Sequence, residues 1–247
     1  MKPYYDDGKN IILHGDTFEI LPYLSGVGAV LTDPPYSSGG AFRSDRTQQT
    51  SVKYVNSTTQ AYRPEFAGDN RDQRGYLAWC TMWLNAARSA CLPGAVLAQF
   101  TDWRQLPTTT DAVQAAGWTW RGIAVWSKKY GRANPAGFSS AAEFVVWGTY
   151  GPAVRSETYP AGVFECQPPR DREHIAQKPE PVMDWLVKVA APGCVVLDPF
   201  MGSGTTLLAA HRAGHPVIGI ELEERYCEIA ARRLQEEKPE PGLTSPE

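Results

Sequence analysis

No run of about 20 uncharged apolar residues occurs anywhere in the 247-residue chain, which argues against a membrane-spanning helix. Cysteine is sparse and unpaired in pattern. Cys80, Cys91, Cys166, Cys194 and Cys227 are odd in number and form no Cys-x-x-Cys pair, so neither a disulfide framework nor structural zinc is expected. The opening residues, Met1 to Asp7, lack the apolar core of a secretory leader, and a cytoplasmic location is expected. No Lys-Ser/Thr follows a glycine turn, which excludes a Walker phosphate loop, and no Gly-x-Gly-x-x-Gly follows an early strand, which disfavours a nicotinamide dinucleotide. Internal repeats and a dividing linker are also missing, so one domain over residues 1–237 is expected, followed by a Pro-rich disordered tail at 238–247.

Positive charge is short overall, at a net −3, but the deficit is local. Residues 221–247 hold eight acidic and four basic side chains, whereas 112–142 hold four basic ones (Arg121, Lys128, Lys129, Arg132) and no acid. Residues 37–74 carry six basic against four acidic side chains. The middle of the chain can therefore face a polyanion, although an ordinary solvated face explains the same charges.

What is present reads as an α/β fold. Seven short apolar runs predict strands near 11–14, 27–32, 95–100, 122–126, 144–147, 195–197 and 217–220. Helical spacing is expected over 76–92, 179–190, 205–213 and 223–234, so crossover connections and a mostly parallel sheet follow. Three long stretches show no periodicity, 37–74, 127–140 and 150–173, and loops of that length are usually functional.

Two turns carry the chemistry. Asp33-Pro34-Pro35-Tyr36 ends the second run, and Asp198-Pro199-Phe200-Met201-Gly202-Ser203-Gly204-Thr205 ends the sixth. Ligands of open α/β sheets sit at such strand ends. Gly202 and Gly204 allow close backbone approach, and Glu221, 23 positions after Asp198, stands where an acid binds ribose hydroxyls.

Together the two turns resemble the amino-methyltransferases that use S-adenosylmethionine to methylate an exocyclic amine of a DNA base. The order, catalytic turn first and cofactor turn near the C-terminus, resembles the circularly permuted beta group of that family. The resemblance implies a Rossmann-like methyltransferase sheet of seven strands, six parallel and one reversed, with helices on both faces. It implies S-adenosylmethionine as cofactor, double-stranded DNA as partner, a restriction-modification setting, no metal, and a homodimer as in many relatives. Beyond the glycine turn, the cofactor residues it implies are His174, Lys178 and Pro179 of a Lys-Pro motif, and Asp16 of an early Gly-Asp. Asp16 also suits an N-cap of a helix starting at Thr17, and Phe200 suits plain core packing.

An exocyclic amine is a poor nucleophile because its lone pair is delocalised into the ring. Two acceptors for its N–H bonds localise that pair. The resemblance gives these roles to the Asp33 carboxylate and the Pro34 carbonyl, held by the rigid Pro34-Pro35 unit, with Tyr36 as a stacking face for a base turned out of the duplex. Aspartate at the first position goes with adenine N6 in that family and serine with cytosine N4, so Asp33 favours adenine. The alternatives are a cytosine-N4 enzyme and a catalytically silent DNA-binding module. The family's usual target-reading interval is here only residues 149–173. The 37–74 segment, with Arg43, Arg46 and Lys53, is therefore the expected DNA-reading loop, aided by Lys128, Lys129 and Arg132.

Overall fold

The computed structural model describes residues 1–36, 71–132, 137–154, 158–168 and 178–237, with only the backbone of Arg132. Arg43, Arg46, Lys53, His174 and the 238–247 tail, all named above, lie outside the described residues.

Among the described residues nine strands form one sheet: β1 (Tyr5–Asp6), β2 (Asn10–His14), β3 (Val27–Thr32), β4 (Cys91–Thr101), β5 (Thr119–Arg132), β6 (Ser140–Thr149), β7 (Val163–Glu165), β8 (Val195–Asp198) and β9 (Val217–Glu221). Their order is β1-β2-β9-β8-β3-β4-β6-β5-β7. All seven expected strands are present, six pointing one way and β6 reversed. The two additions are edge pieces, β1 antiparallel to β2 and β7 parallel to β5. Both are too short for an apolar alternation to show in sequence.

Helices cover both faces. On one lie α1 (Thr17–Ile20), α2 (Gln73–Ala90) and α3 (Leu106–Ala115); on the other α4 (Glu180–Val187), α5 (Thr205–Arg212) and α6 (Glu224–Glu236). Alternation along the strands feeds both layers. Val30, Leu97 and Ile220 pack with Tyr76, Trp83 and Leu84, while Leu31, Ala98 and Phe100 pack with Val182, Leu186 and Leu207. Each such large side chain contributes about 1.5–3 kcal/mol on burial. α3 was not foreseen. Its Thr108-Thr109-Thr110 run has weak helix propensity, but Thr109, Ala112 and Val113 make a buried stripe, and Thr109 bonds the Thr101 hydroxyl at 3.0 Å.

The 127–140 stretch is largely not a loop. Residues 127–132 continue β5, and Ser140 opens β6, with Ser127 opposite Ala142 and Arg132 opposite Ser140. This hairpin runs past the last β4–β6 pair, Thr101 with Phe144, so it loses β4 as a partner, and its sequence shows no period. A register shift between Ser127 and Arg132, with Lys129 at a φ of 61°, bends it further. Because β5 runs parallel to β4, residues 127–132 extend toward the carboxyl end of the sheet. Among the described residues no helix is long and apolar enough to cross a membrane.

Candidate active site

β3 and β8 are neighbours at the centre of the sheet, with Val30 opposite Leu197. The two turns read from sequence therefore emerge side by side. Thr32 at the end of β3 donates its hydroxyl to Asp198 Oδ1 at 2.7 Å, and the Phe200 N–H bonds the same oxygen at 3.0 Å. Asp198 is only 1% exposed. Burial pushes its carboxyl up to about 6, against the hydrogen bonds that favour the charged form. The carboxylate is turned inward and ties the start of the glycine turn to the end of β3.

The rest of that turn is anchored from three sides. Pro199 O accepts the Thr17 hydroxyl at 2.5 Å, the Met201 N–H reaches Ile220 O at 3.1 Å, and Arg233 of α6 donates to Ser203 O at 2.9 Å. Ser203 and Thr205 are buried. Gly204, the N-cap of α5, has a φ of 82°, and a Cβ there lies 2.7 Å from Ala230 Cβ. Gly204→Ala is expected to destabilise the fold by about 1–3 kcal/mol through strain and overpacking, seen as a lower urea midpoint. Gly202 differs: its φ is 51°, and a Cβ there meets nothing within 4 Å. Its N–H points to Glu221.

Glu221 ends β9. Its Oε2 accepts the Gly202 N–H at 3.0 Å and its Oε1 the Glu223 N–H at 2.9 Å, leaving lone pairs on both oxygens. Burial raises its pKa. Asp16 stands on the next strand end, where Gly15 N–H bonds Glu221 O at 2.9 Å. It caps α1 by accepting the Phe18 N–H at 2.7 Å. Phe200 is half-buried against Trp79 and Trp83, with ring centroids 5.4 and 5.2 Å away.

Above β3 lies a charged cluster. Lys178 is 6% exposed, and its Nζ is 2.5 Å from Asp33 Oδ2 and 3.2 Å from Glu143 Oε2. Pro179 follows it and caps α4. Glu143 Oε1 lies 2.5 Å from Lys128 Nζ, and the Tyr36 hydroxyl donates to Glu143 Oε2 at 3.3 Å. Lys178 Nζ also sits 5.5 Å from the Tyr36 ring and 4.9 Å from that of Phe100. Burial pushes the Asp33 carboxyl up to about 6, against the pull of Lys178 and with the help of the Glu143 charge. Burial acts the same way on Glu143, but Lys178 and Lys128 together hold it at about 2. Burial alone would depress Lys178; its two carboxylates raise it instead. One atom is left over. Asp33 Oδ1 is buried and has no hydrogen-bond partner among the described residues.

Of the basic residues expected at DNA, Lys128 pairs with Glu143, and Lys129 is half-exposed, 3.9 Å from Glu165. Glu143 was not singled out in sequence. Its signal is faint but present: it is the first acid after the acid-free stretch, at the mouth of a strand that becomes fully apolar. Among the described residues no group of three or more His, Cys, Asp or Glu could hold a metal ion, and all five cysteines are free thiols.

An open, mostly parallel sheet with an acidic turn after one central strand and a glycine turn after its neighbour defines an α/β enzyme whose site spans adjacent carboxyl ends. More particularly, the chain belongs to the N6/N4 methyltransferase family, whose model, described as DNA methylase, matches residues 27–161 and 153–232. It is similar to the type II methyltransferase M.ScaI of Streptomyces caespitosus, 26% identical over 282 residues that cover 96% of this chain and 84% of that one. The type II methyltransferase M2.DpnII of Streptococcus pneumoniae is 25% identical over 264 residues, covering 96% and 93%. Among solved structures, the fold is shared with the cytosine-N4-specific PvuII DNA methyltransferase, at a TM-score of 0.70, 16% identity and coverage of 98% and 91%. It is shared too with the M1.HpyAVI–SAM complex, at 0.62, 24%, and 90% and 98%.

Proposed function

We propose that this chain uses S-adenosylmethionine to methylate adenine N6 in double-stranded DNA, with the target base turned out of the duplex. The observation that carries the reading is the Asp33 carboxylate. One of its oxygens is held by Lys178, and the other, Oδ1, is buried without a donor from any described residue. Such an unmet oxygen costs about 1–3 kcal/mol, which an incoming amine N–H recovers. Aspartate rather than serine at this position supports adenine over cytosine.

Asp33 accepts one amine N–H and the Pro34 carbonyl the other, so the nitrogen lone pair is drawn out of the ring. As positive charge grows on nitrogen, the carboxylate stabilises it and takes the released proton. The pKa of about 6 makes Asp33 a better acceptor than an ordinary aspartate, and it passes the proton to water. Tyr36 supplies a face for the extruded base, worth about 1–3 kcal/mol in stacking.

S-adenosylmethionine, when bound, supplies a methyl group activated on a sulfonium. The residues present suit it. Glu221 has spare lone pairs for a ribose diol, Gly202 leaves room for close approach, and Asp16 stands beside Glu221 for the adenine amine. Glu221→Ala is expected to weaken binding of S-adenosylhomocysteine by about 1.5–3 kcal/mol, measured by calorimetry. An unchanged dissociation constant removes Glu221 from the site. On the DNA side we assign Arg43, Arg46, Lys53, Lys128, Lys129 and Arg132, with Lys128 also part of the charged cluster.

Sequencing of modified bases in DNA from a methylation-deficient host that expresses the protein tests the reading as a whole. N6-methyladenine in one recurring context is expected. N4-methylcytosine would move the target to cytosine, and unmodified DNA would overturn the activity.

A further inference from the structure

We propose that Glu143, backed by Lys128, is a positioning residue of this site that holds the Lys178 ammonium and the Tyr36 hydroxyl and sets the charge on Asp33. The inference rests on the methyltransferase reading and gives work to two residues that neither sequence turn contains.

Glu143 sits on β6 one residue beyond its last pairing with β4, directly over the end of β3's neighbour. Both of its oxygens are engaged, Oε1 by Lys128 and Oε2 by Lys178 and Tyr36. Four segments are thereby tied together: β5, β6, the turn after β3 and the approach to α4. The charges alternate along the row Lys128, Glu143, Lys178, Asp33. The row is mostly out of water, with side-chain exposures of 24%, 14%, 6% and 19%, so its members feel one another with little screening. Other groups facing it are Asp102 after β4, Asp198 at the end of β8 and the Tyr36 phenol. These remain the same in every variant compared below.

The row makes an opposite-sign test possible. Glu143→Gln removes a like charge from Asp33 and leaves Lys178 undivided, so Asp33 ionises more easily. Lys128→Met removes a cation, so Asp33 ionises less easily. Methyl transfer to DNA needs ionised Asp33, and its kcat/KM falls as pH drops through that ionisation. With the full chain, the acid limb of this profile is expected to move down by about one pH unit in E143Q and up by a fraction of that in K128M. Glu143→Asp is expected to restore the wild-type limb. Carboxyl-carbon NMR titration of Asp33 in the protein alone reads the same shifts without activity.

A purely structural Glu143 would lower the rate at every pH and leave the limb in place, which overturns the inference. Should E143Q not fold, K128M decides alone, and a limb that stays or moves down overturns the inference equally. Wild-type protein without methyl transfer at any pH overturns the underlying reading as well; active wild type with unmoved limbs overturns this inference only.

Discussion

Asp33→Ala is expected to lower methyl transfer by at least about 10²–10³-fold, the scale of removing one preorganised electrostatic partner of a reacting group. The substitution takes away the only oxygen in the cluster that is buried and unpartnered among the described residues. It should leave cofactor affinity nearly unchanged, because Glu221, Gly202 and Asp16 emerge from β9, β8 and β2 and none of them bonds Asp33. The fold should also survive, since Lys178 keeps Glu143 as a partner. Single-turnover rates and calorimetry with S-adenosylhomocysteine on the same preparation separate the two effects. A collapse of cofactor affinity with residual transfer would exchange the roles of the two turns.

The largest effect on stability is expected from Lys178→Met. It strands Asp33 beside Glu143 with no ammonium between them, and breaking a buried pair from one side costs about 3–5 kcal/mol. The sign of its pH dependence follows from Asp33. Its folded pKa of about 6 already exceeds the unfolded 3.8, and loss of Lys178 raises it further. A group shifted up in this way penalises the folded state above its folded pKa, and the penalty fades as pH falls through that value. Urea unfolding should therefore show a large deficit relative to wild type near about pH 8 and a much smaller one near about pH 5. A deficit equal at both would mean that the ionisation of Asp33 does not set the cost of removing the ammonium.

The central sheet was legible because its strands are buried on both faces. Val27–Thr32 and Val217–Glu221 read as continuous apolar runs that end in a functional residue. The turns at Asp33 and Asp198 were legible for the same reason, since a polar or glycine-rich stop after such a run has few structural explanations. Three things were hidden. α3 uses Thr109, whose hydroxyl is satisfied by Thr101 and Tyr76, a tertiary arrangement that propensity does not report. The outer half of the β5–β6 hairpin lies beyond the last pairing with β4, and its sequence carries no period. Glu143 belongs to a cluster assembled from residues 33, 36, 128 and 178, and no local pattern signals contacts across such separations.

The place of β3 between β4 and β8 bears on how the chain comes to be folded. β3 is made early, yet one of its two neighbours begins only at Val195, and the bond from Thr32 to Asp198 closes a separation of 166 residues. Non-local parallel pairing of this kind is slow, because a long loop must close before any contact offsets its entropy. During synthesis, until β8 has emerged, β3 has one open edge rich in valine and leucine, and such an edge invites pairing with other chains. The glycine turn and Lys178 are also made late. A product ended before Lys178 thus carries Asp33 and Tyr36 but lacks both the ammonium that pairs with Asp33 and the glycine turn.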